Sequence, residues 1–97
     1  MARKITTEAV NAFMFGQKFN KDNTSVFVGE SGTSSMHLHG NLIARRFPDG
    51  KIEVGNAGWF SNTTKERLNG LPGVSICQKK GVWFLNGEEW DGSWTTV

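Results

Sequence analysis

Apolar residues recur along the chain with two different periods, and the first of them predicts a helix near the start. Residues 6–15 repeat apolar side chains at the three- and four-residue spacing of a buried helical face, with Val10 and Phe13 on that face. Thr6 is a residue type that caps helix N-termini, and Gly16 is one that ends helices in a left-handed conformation. We therefore expect a short helix between these two residues.

The period changes to two from Thr24 to about residue 56, which is typical of strands with one buried face. A Pro-Asp-Gly sequence at 48–50 predicts a turn, and the Gly-Asn pair at 40–41 predicts either a bulge or a tight hairpin turn. We expect a meander of three or four antiparallel strands here. The alternation places Met36, Leu38, Leu42 and Ala44 on one face and His37, His39, Asn41, Ile43 and Arg45 on the other.

A second short helix is predicted at residues 64–70. Thr63 and Glu66 have the spacing of a capping box, which satisfies backbone N–H groups at a helix start. Leu68 is expected to point inward, and Gly70 to end the helix.

The remaining chain predicts strands at 74–79 and 82–85, joined by a tight Lys-Gly turn. Asn86-Gly87 stands between two apolar segments and is a strong signal for a type I′ hairpin. These elements together predict a single α+β domain over residues 1–97, with an antiparallel sheet of five to six strands and two short helices. The predicted core contains Val10, Phe13, Leu38, Leu42, Ile52, Val54, Leu68, Ile76 and Phe84.

Composition narrows the function classes. The net charge of +2 over 97 residues is small for a dedicated nucleic-acid-binding domain. The single cysteine, Cys77, excludes an internal disulfide and is typical of a reducing compartment. The basic start of the chain is not followed by the apolar run of a signal peptide, and no stretch is apolar enough to span a membrane. We expect a soluble intracellular protein.

The segment TTKERLN and the hairpin KKGVWFLNGEEWDG resemble a group of small proteins encoded by tailed bacteriophages. The resemblance runs from RKITTEAVNAF through HGNLIA and AGW to the C-terminal tryptophans, which is most of the chain. It implies a phage product that acts in the cytoplasm of the infected host, but it brings no activity with it. Small non-structural phage proteins often bind a component of the host or of its defence, so the resemblance implies this kind of partner.

Two histidines raise the question of a metal site. Strand alternation places His37 and His39 on one face, where both imidazoles are close enough to share a divalent ion. A third ligand such as Cys77, Asp49 or Glu53 is needed, and no spacing indicates one. Ordinary strand histidines are the favoured interpretation. We predict no metal, no cofactor and no enzymatic activity.

Aromatic residues suggest a protein-binding surface. Trp83, Phe84 and Leu85 are consecutive, so the hairpin presents apolar groups on both faces. One face belongs to the core, and the other is either covered or exposed, with coverage favoured. Tryptophan and arginine dominate protein interfaces. The candidate anchors are Trp59, Arg67, Trp83, Trp90 and Trp94.

A second interpretation is nucleotide or nucleic-acid binding, including sequestration of a phosphorylated signal. Neighbouring basic residues on a strand point to opposite faces, and acidic residues accompany them, so this interpretation ranks below protein binding. The open sheet also predicts a homodimer, because its edge strands carry unpaired backbone groups. The candidate phosphate-binding residues are Arg45, Arg46, Lys65, Arg67, Lys79 and Lys80.

Overall fold

The computed structural model describes residues 4–56, 58 and 61–97. Two helices and several short strands, joined by turns and loops, form this part of the chain. The elements are α1 (Lys4–Phe15), β1 (Phe19–Lys21), β2 (Thr24–Val28), β3 (Ser34–Leu38), β4 (Asn41–Arg46), β5 (Ile52–Val54), α2 (Asn62–Asn69), β6 (Ile76–Lys79), β7 (Val82–Leu85), β8 (Glu88–Glu89) and β9 (Thr95–Thr96).

The strands form two antiparallel sheets. The first has the order β1-β2-β3-β4-β5-β9, and the second has the order β6-β7-β8. The α+β class, the six-stranded antiparallel sheet and the two short helices are therefore confirmed. The sequence pattern does not separate the second sheet from the first, and it misses β1 and β9, which are too short to show a period. Helix α1 packs on β2 and β3, so one face of the first sheet becomes core.

The start of α1 differs from the prediction. The helix begins at Lys4, and Thr6 lies inside it as a fully buried residue, so Thr6 is not the N-cap. The predicted end is confirmed. Gly16 has a φ of 68°, and the Gln17 N–H donates to the carbonyl of Ala12 at 2.8 Å, which is the hydrogen bond of a Schellman motif.

The start of α2 also differs. Ser61 is the N-cap, and its hydroxyl accepts a hydrogen bond from the Thr64 N–H at 3.2 Å. The predicted capping box of Thr63 and Glu66 is wrong, because the Glu66 carboxylate is instead bound to Arg67 and to Thr6 of α1. The Glu66 carboxylate therefore binds the buried Thr6 hydroxyl of α1 instead of capping its own helix.

A β-bulge exchanges the predicted faces of β4 in the part of the strand before Ala44. Met36 lies opposite Ala44, but the next residue of β3, His37, lies opposite Leu42, so Ile43 is the extra residue. Ile43 is consequently buried at 1 % exposure, and Leu42 is half-buried on the other face. The prediction that Leu42 is core and Ile43 points outward is wrong.

The second sheet corrects one more core residue. Trp83 and Leu85 are buried, while Phe84 between them is half-buried, so the prediction of Phe84 as core is wrong. Asn86 and Gly87 both have positive φ angles, which confirms the type I′ hairpin. The other predicted core residues are buried, which confirms Val10, Phe13, Leu38, Ile52, Val54, Leu68 and Ile76.

The Gly-Asn ambiguity at 40–41 is resolved in favour of a hairpin. His39 and Gly40 occupy the turn with φ angles of 53° and 81°, and β4 begins at Asn41. The turn at 48–50 is confirmed as well, with the Gly50 N–H donating to the Phe47 carbonyl at 2.9 Å. Neither described helix is long and apolar enough to cross a membrane.

Self-association stays a prediction that the edges of both sheets support. Strands β1 and β9 end the first sheet, and β6 and β8 end the second, which leaves backbone groups for a second copy to pair with. We expect light scattering at high micromolar concentration to give the mass of a dimer. A monomer mass under those conditions contradicts the expectation.

Candidate functional site

The face of the six-stranded sheet opposite α1 carries the largest exposed aromatic groups on the described strands and their flanks. A row of side chains crosses it in register, from Phe27 through Ser35, Arg45 and Glu53 to Thr96. Phe27 is 54 % exposed, although phenylalanine is normally buried. We call the outer face the surface formed by Phe27, His37, Leu42, Arg45, Phe47 and Trp94.

Trp94 and Arg45 are stacked at the centre of one half of this face. The Arg45 guanidinium carbon lies 4.3 Å from the Trp94 ring centroid and 5.7 Å from that of Phe47. These are cation–π distances. The Trp94 ring also lies against Gly55, where an added Cβ would come within 3.2 Å of the ring. The ring is thereby held in place, yet 42 % of Trp94 remains exposed.

An ion pair fixes the arginine of this stack. The Arg45 Nη2 atom donates to the Glu53 Oε1 atom at 2.7 Å, and the two residues are Cα partners on β4 and β5. Both side chains are about one-third exposed, so the pair is only partly shielded from water. Its main effect is to orient the guanidinium over Trp94.

His37 packs against Phe27 in the other half of the outer face. Their ring centroids are 5.2 Å apart, and the ring planes meet at 83°. Burial lowers the pKa of His37 below its ordinary value, since desolvation penalises the charged imidazolium. His39 lies in the turn beyond β3, so the prediction that both imidazoles share a strand face is wrong. Within residues 4–56, 58 and 61–97, no three ligating side chains are grouped as a metal site needs.

The His37 environment gives a test of this packing. Replacing Phe27 by alanine exposes the imidazole, so we expect the His37 pKa to rise toward its ordinary value when followed by NMR. In the wild-type protein the His37 pKa is lower in the folded than in the unfolded state, so the unfolded state binds more protons. The free energy of unfolding therefore falls as the pH drops through the ordinary histidine range. Phe15→Ala, at an exposed site on α1, is the control. An unchanged His37 midpoint in Phe27→Ala contradicts the assignment.

The predicted tryptophan anchors do not all reach the surface. Trp83 and Trp90 are buried at 2 % and 7 % exposure, and their ring centroids are 6.2 Å apart. The favoured coverage of the hairpin aromatics is confirmed only in part, because Trp90 is buried while Phe84 is half-buried and Trp94 is exposed. The Trp90 indole N–H lies within hydrogen-bond distance of the Ser93 carbonyl and the Thr95 hydroxyl, which attaches the hairpin to β9. Trp59 lies outside the described residues.

Arg67, a candidate in both predicted sites, is 1 % exposed. Its guanidinium donates to the hydroxyls of Thr24 at 2.9 Å and Thr6 at 2.7 Å, and it is paired with Glu66. It therefore links α2 to α1 and β2 in the interior, and a ligand at the surface does not meet it. A short polar helix gives no sequence signal that one of its charged residues is buried.

The other basic candidates are distributed over different parts of the fold. Arg46 follows Arg45 on β4 and therefore points to the opposite face, beside buried Ile52. Lys65 of α2 donates to the Gln78 side chain at 3.1 Å and lies 5.6 Å from the Trp83 ring centroid. Lys79 and Lys80 stand exposed at the β6–β7 turn. The six candidates therefore do not form one phosphate-binding surface.

Phe27 is a site residue that the sequence analysis omits. The alternation of Val26 and Val28 around it indicates an outward side chain, and this signal was sufficient to find it.

Comparison with known proteins identifies one family. The family model described as Kyanoviridae Gp96 protein matches residues 2–96. No curated protein and no solved structure matches the chain.

Proposed function

The chain belongs to the Kyanoviridae Gp96 family of phage proteins, and from this premise we propose that it binds a bacterial protein through the outer face. The bound protein belongs to the host or to its defence, and binding blocks or redirects it. The observation that carries the proposal is Trp94, a 42 % exposed indole that packs against Gly55 and the Arg45 guanidinium.

The chemistry of the outer face suits a protein partner. Interface hot spots are enriched in tryptophan and arginine, and they are strongest where the side chain is already ordered. Trp94 and Arg45 meet both conditions, because the ring is packed on Gly55 and the guanidinium is paired with Glu53. Phe27 adds a second exposed aromatic group at the far end of the row. An incoming protein surface therefore buries aromatic area without first ordering it.

The dimensions also suit a protein. The row from Phe27 to Thr96 crosses five neighbouring strands, which at roughly 4.8 Å per strand spans about 19 Å. A standard interface needs about 800 Å² on each partner. A square patch of that area has an edge of roughly 28 Å, and the row covers about two-thirds of that length.

Nucleotide or nucleic-acid binding remains the second candidate, supported by the exposed aromatic rings, which are able to stack on bases. The charges favour a protein instead. Glu53 neutralises Arg45 on the face itself, and Lys65, Lys79 and Lys80 lie on α2 and the second sheet. A phosphate backbone consequently meets no continuous basic path on the outer face.

The proposal is tested by capture from bacterial lysate with the immobilised protein, with and without nuclease, at low and high salt. We expect a stoichiometric bacterial protein that survives both treatments. Phe27→Ser and Trp94→Ser are each expected to weaken its binding at least about thirtyfold, which corresponds to the loss of one hot spot of about 2 kcal/mol.

Phe15→Ser is the matched control, since Phe15 is 75 % exposed but lies on α1. Thermal melts establish that each variant is folded before capture. Retention of nucleic acid or a nucleotide alone, lost at high salt, supports the second candidate. Equal retention by the outer-face variants and the control contradicts the use of this face.

We further propose that binding takes place in the cytoplasm of the infected host and needs neither a cofactor nor catalysis. The chemistry of the outer face supports binding without catalysis. Its ionisable groups are an ion pair, Arg45 with Glu53, and a histidine that packs against Phe27. A nucleophile with an adjacent base is not among them.

A further inference from the structure

A groove of about 780 Å³ runs between the edge of the second sheet and the edge of the first. Strand β8 and the loop after it form one wall, and β9 forms the other. Trp83 and Trp90 lie along it, and the hydrogen bonds from the Trp90 indole to residues 93 and 95 hold the two walls together. The groove is separate from the outer face, although β9 borders both.

Each wall is a strand edge with backbone groups that the sheets do not use. On β9, the Val97 N–H donates to the carbonyl of Ile52 on β5, so the N–H and C=O of Thr96 point to the other side. On β8, the Trp90 N–H donates to the carbonyl of Trp83, so the N–H and C=O of Glu89 point away from β7. Both strands are the last in their sheets.

The groove is acidic. Glu88, Glu89 and Asp91 line it, and no lysine, arginine or histidine does. None of the three carboxylates forms an ion pair within the described residues. Asp91 accepts a hydrogen bond from the Ser93 N–H at 3.0 Å, and its interactions with Ser93 hold the pKa of the carboxyl below its ordinary value. Asp91 therefore keeps its negative charge to a lower pH than an ordinary aspartate does.

We propose that this groove binds an extended, basic segment of another protein by strand addition. The segment pairs its backbone with the free edge groups of Thr96 or Glu89, as in other β-augmentation sites. Its lysine or arginine side chains face the carboxylates, and its apolar side chains contact Val82, which lines the groove and is 37 % exposed. Charge complementarity excludes an acidic segment. The inference does not depend on the proposed role of the outer face.

The test uses a synthetic probe, an acetylated and amidated peptide of sequence Thr-Lys-Val-Lys-Val-Lys-Thr, added to the intact protein. Tryptophan fluorescence follows the titration, since Trp83 and Trp90 line the groove. NMR amide shifts locate the peptide, and we expect the largest at Glu89 and Thr96. A peptide with glutamate in place of lysine is expected not to bind. A peptide methylated on alternate amide nitrogens is expected to bind at least about tenfold more weakly, because methylation removes the pairing donors.

Charge neutralisation provides the matched protein variants. Glu88→Gln with Glu89→Gln is expected to weaken the lysine peptide about tenfold. Glu30→Gln with Asp49→Asn removes the same charge from exposed turns elsewhere and is expected to leave the affinity within about twofold. These residues are exposed, and thermal melts confirm that both double variants fold.

The proposal is overturned if the methylated or the acidic peptide binds as tightly as the lysine peptide. It is also overturned if the two double variants weaken the lysine peptide equally, or if the NMR amide shifts are confined to other surfaces. Absence of binding by the lysine peptide at millimolar concentration also overturns it. The outer-face variant Phe27→Ser is expected to bind the peptide normally, so failure here and failure of the proposed function are distinguishable.

Discussion

Replacing Arg67 by methionine is expected to lower the free energy of unfolding by about 3 kcal/mol. The substitution keeps most of the apolar stem but removes the guanidinium, which donates to hydroxyls on α1 and β2 and pairs with Glu66. Loss of a buried ion-pair partner costs about 3 to 5 kcal/mol. The lower end applies because the Glu66 side chain is 26 % exposed and regains contact with water. A loss of this size is a large part of the stability of a small domain.

Urea denaturation measures the Arg67→Met effect, with Lys65→Met as the control on the same helix. Lys65 makes its hydrogen bond to Gln78 at the surface, so its replacement is expected to cost less than about 1 kcal/mol. Equal losses for the two variants contradict the role of Arg67 as the interior link between the helices and β2.

Gly92→Ala is expected to have an effect of similar size for a different reason. A Cβ at this position would lie 2.3 Å from the side chain of Asn56, which is 1 % exposed and accepts a hydrogen bond from the Gly58 N–H. The φ of 87° also strains any residue with a side chain. Strained backbone costs about 1 to 3 kcal/mol, and overpacking costs about as much again. We expect a total loss of about 2 to 6 kcal/mol.

Gly50→Ala separates the two contributions. Gly50 has nearly the same φ, 91°, but a Cβ there meets no atom within 4 Å. Its replacement is therefore expected to show the backbone cost alone in the same urea experiment. If Gly50→Ala and Gly92→Ala lose equal stability, close packing of the loop before β9 against Asn56 does not contribute.

Some features that depend only on neighbouring residues were predictable from the sequence, although the starts of the two helices were not. Asn86-Gly87 forms the expected type I′ turn, because positive φ at both positions is a property of those residue types. The faces of β4 were predictable from Ala44 onward but not before it. The bulge at Ile43 depends on pairing with β3, and one extra residue exchanges the buried and exposed sides of the strand.

The candidate site was likewise predictable from the sequence only where its features are local. Alternation around Phe27 is sufficient to place it outward, but the stacking of Arg45 on Trp94 is not visible in the sequence. That contact depends on β9 returning to pair with β5, across about forty residues of chain. Arg67 was predicted as an interface anchor because arginine is enriched in interface hot spots, whereas its interior hydrogen bonds come from distant elements.

Hydrogen exchange with and without the captured bacterial protein tests the central claim most directly, since it maps the interface on the intact chain. The outer face predicts slower exchange in β2, β4, β5 and residues 93–97, with α1 unchanged. The same experiment on Trp94→Ser is expected to show little protection at equal concentrations. Protection confined to α1, or to the second sheet, contradicts binding through the outer face.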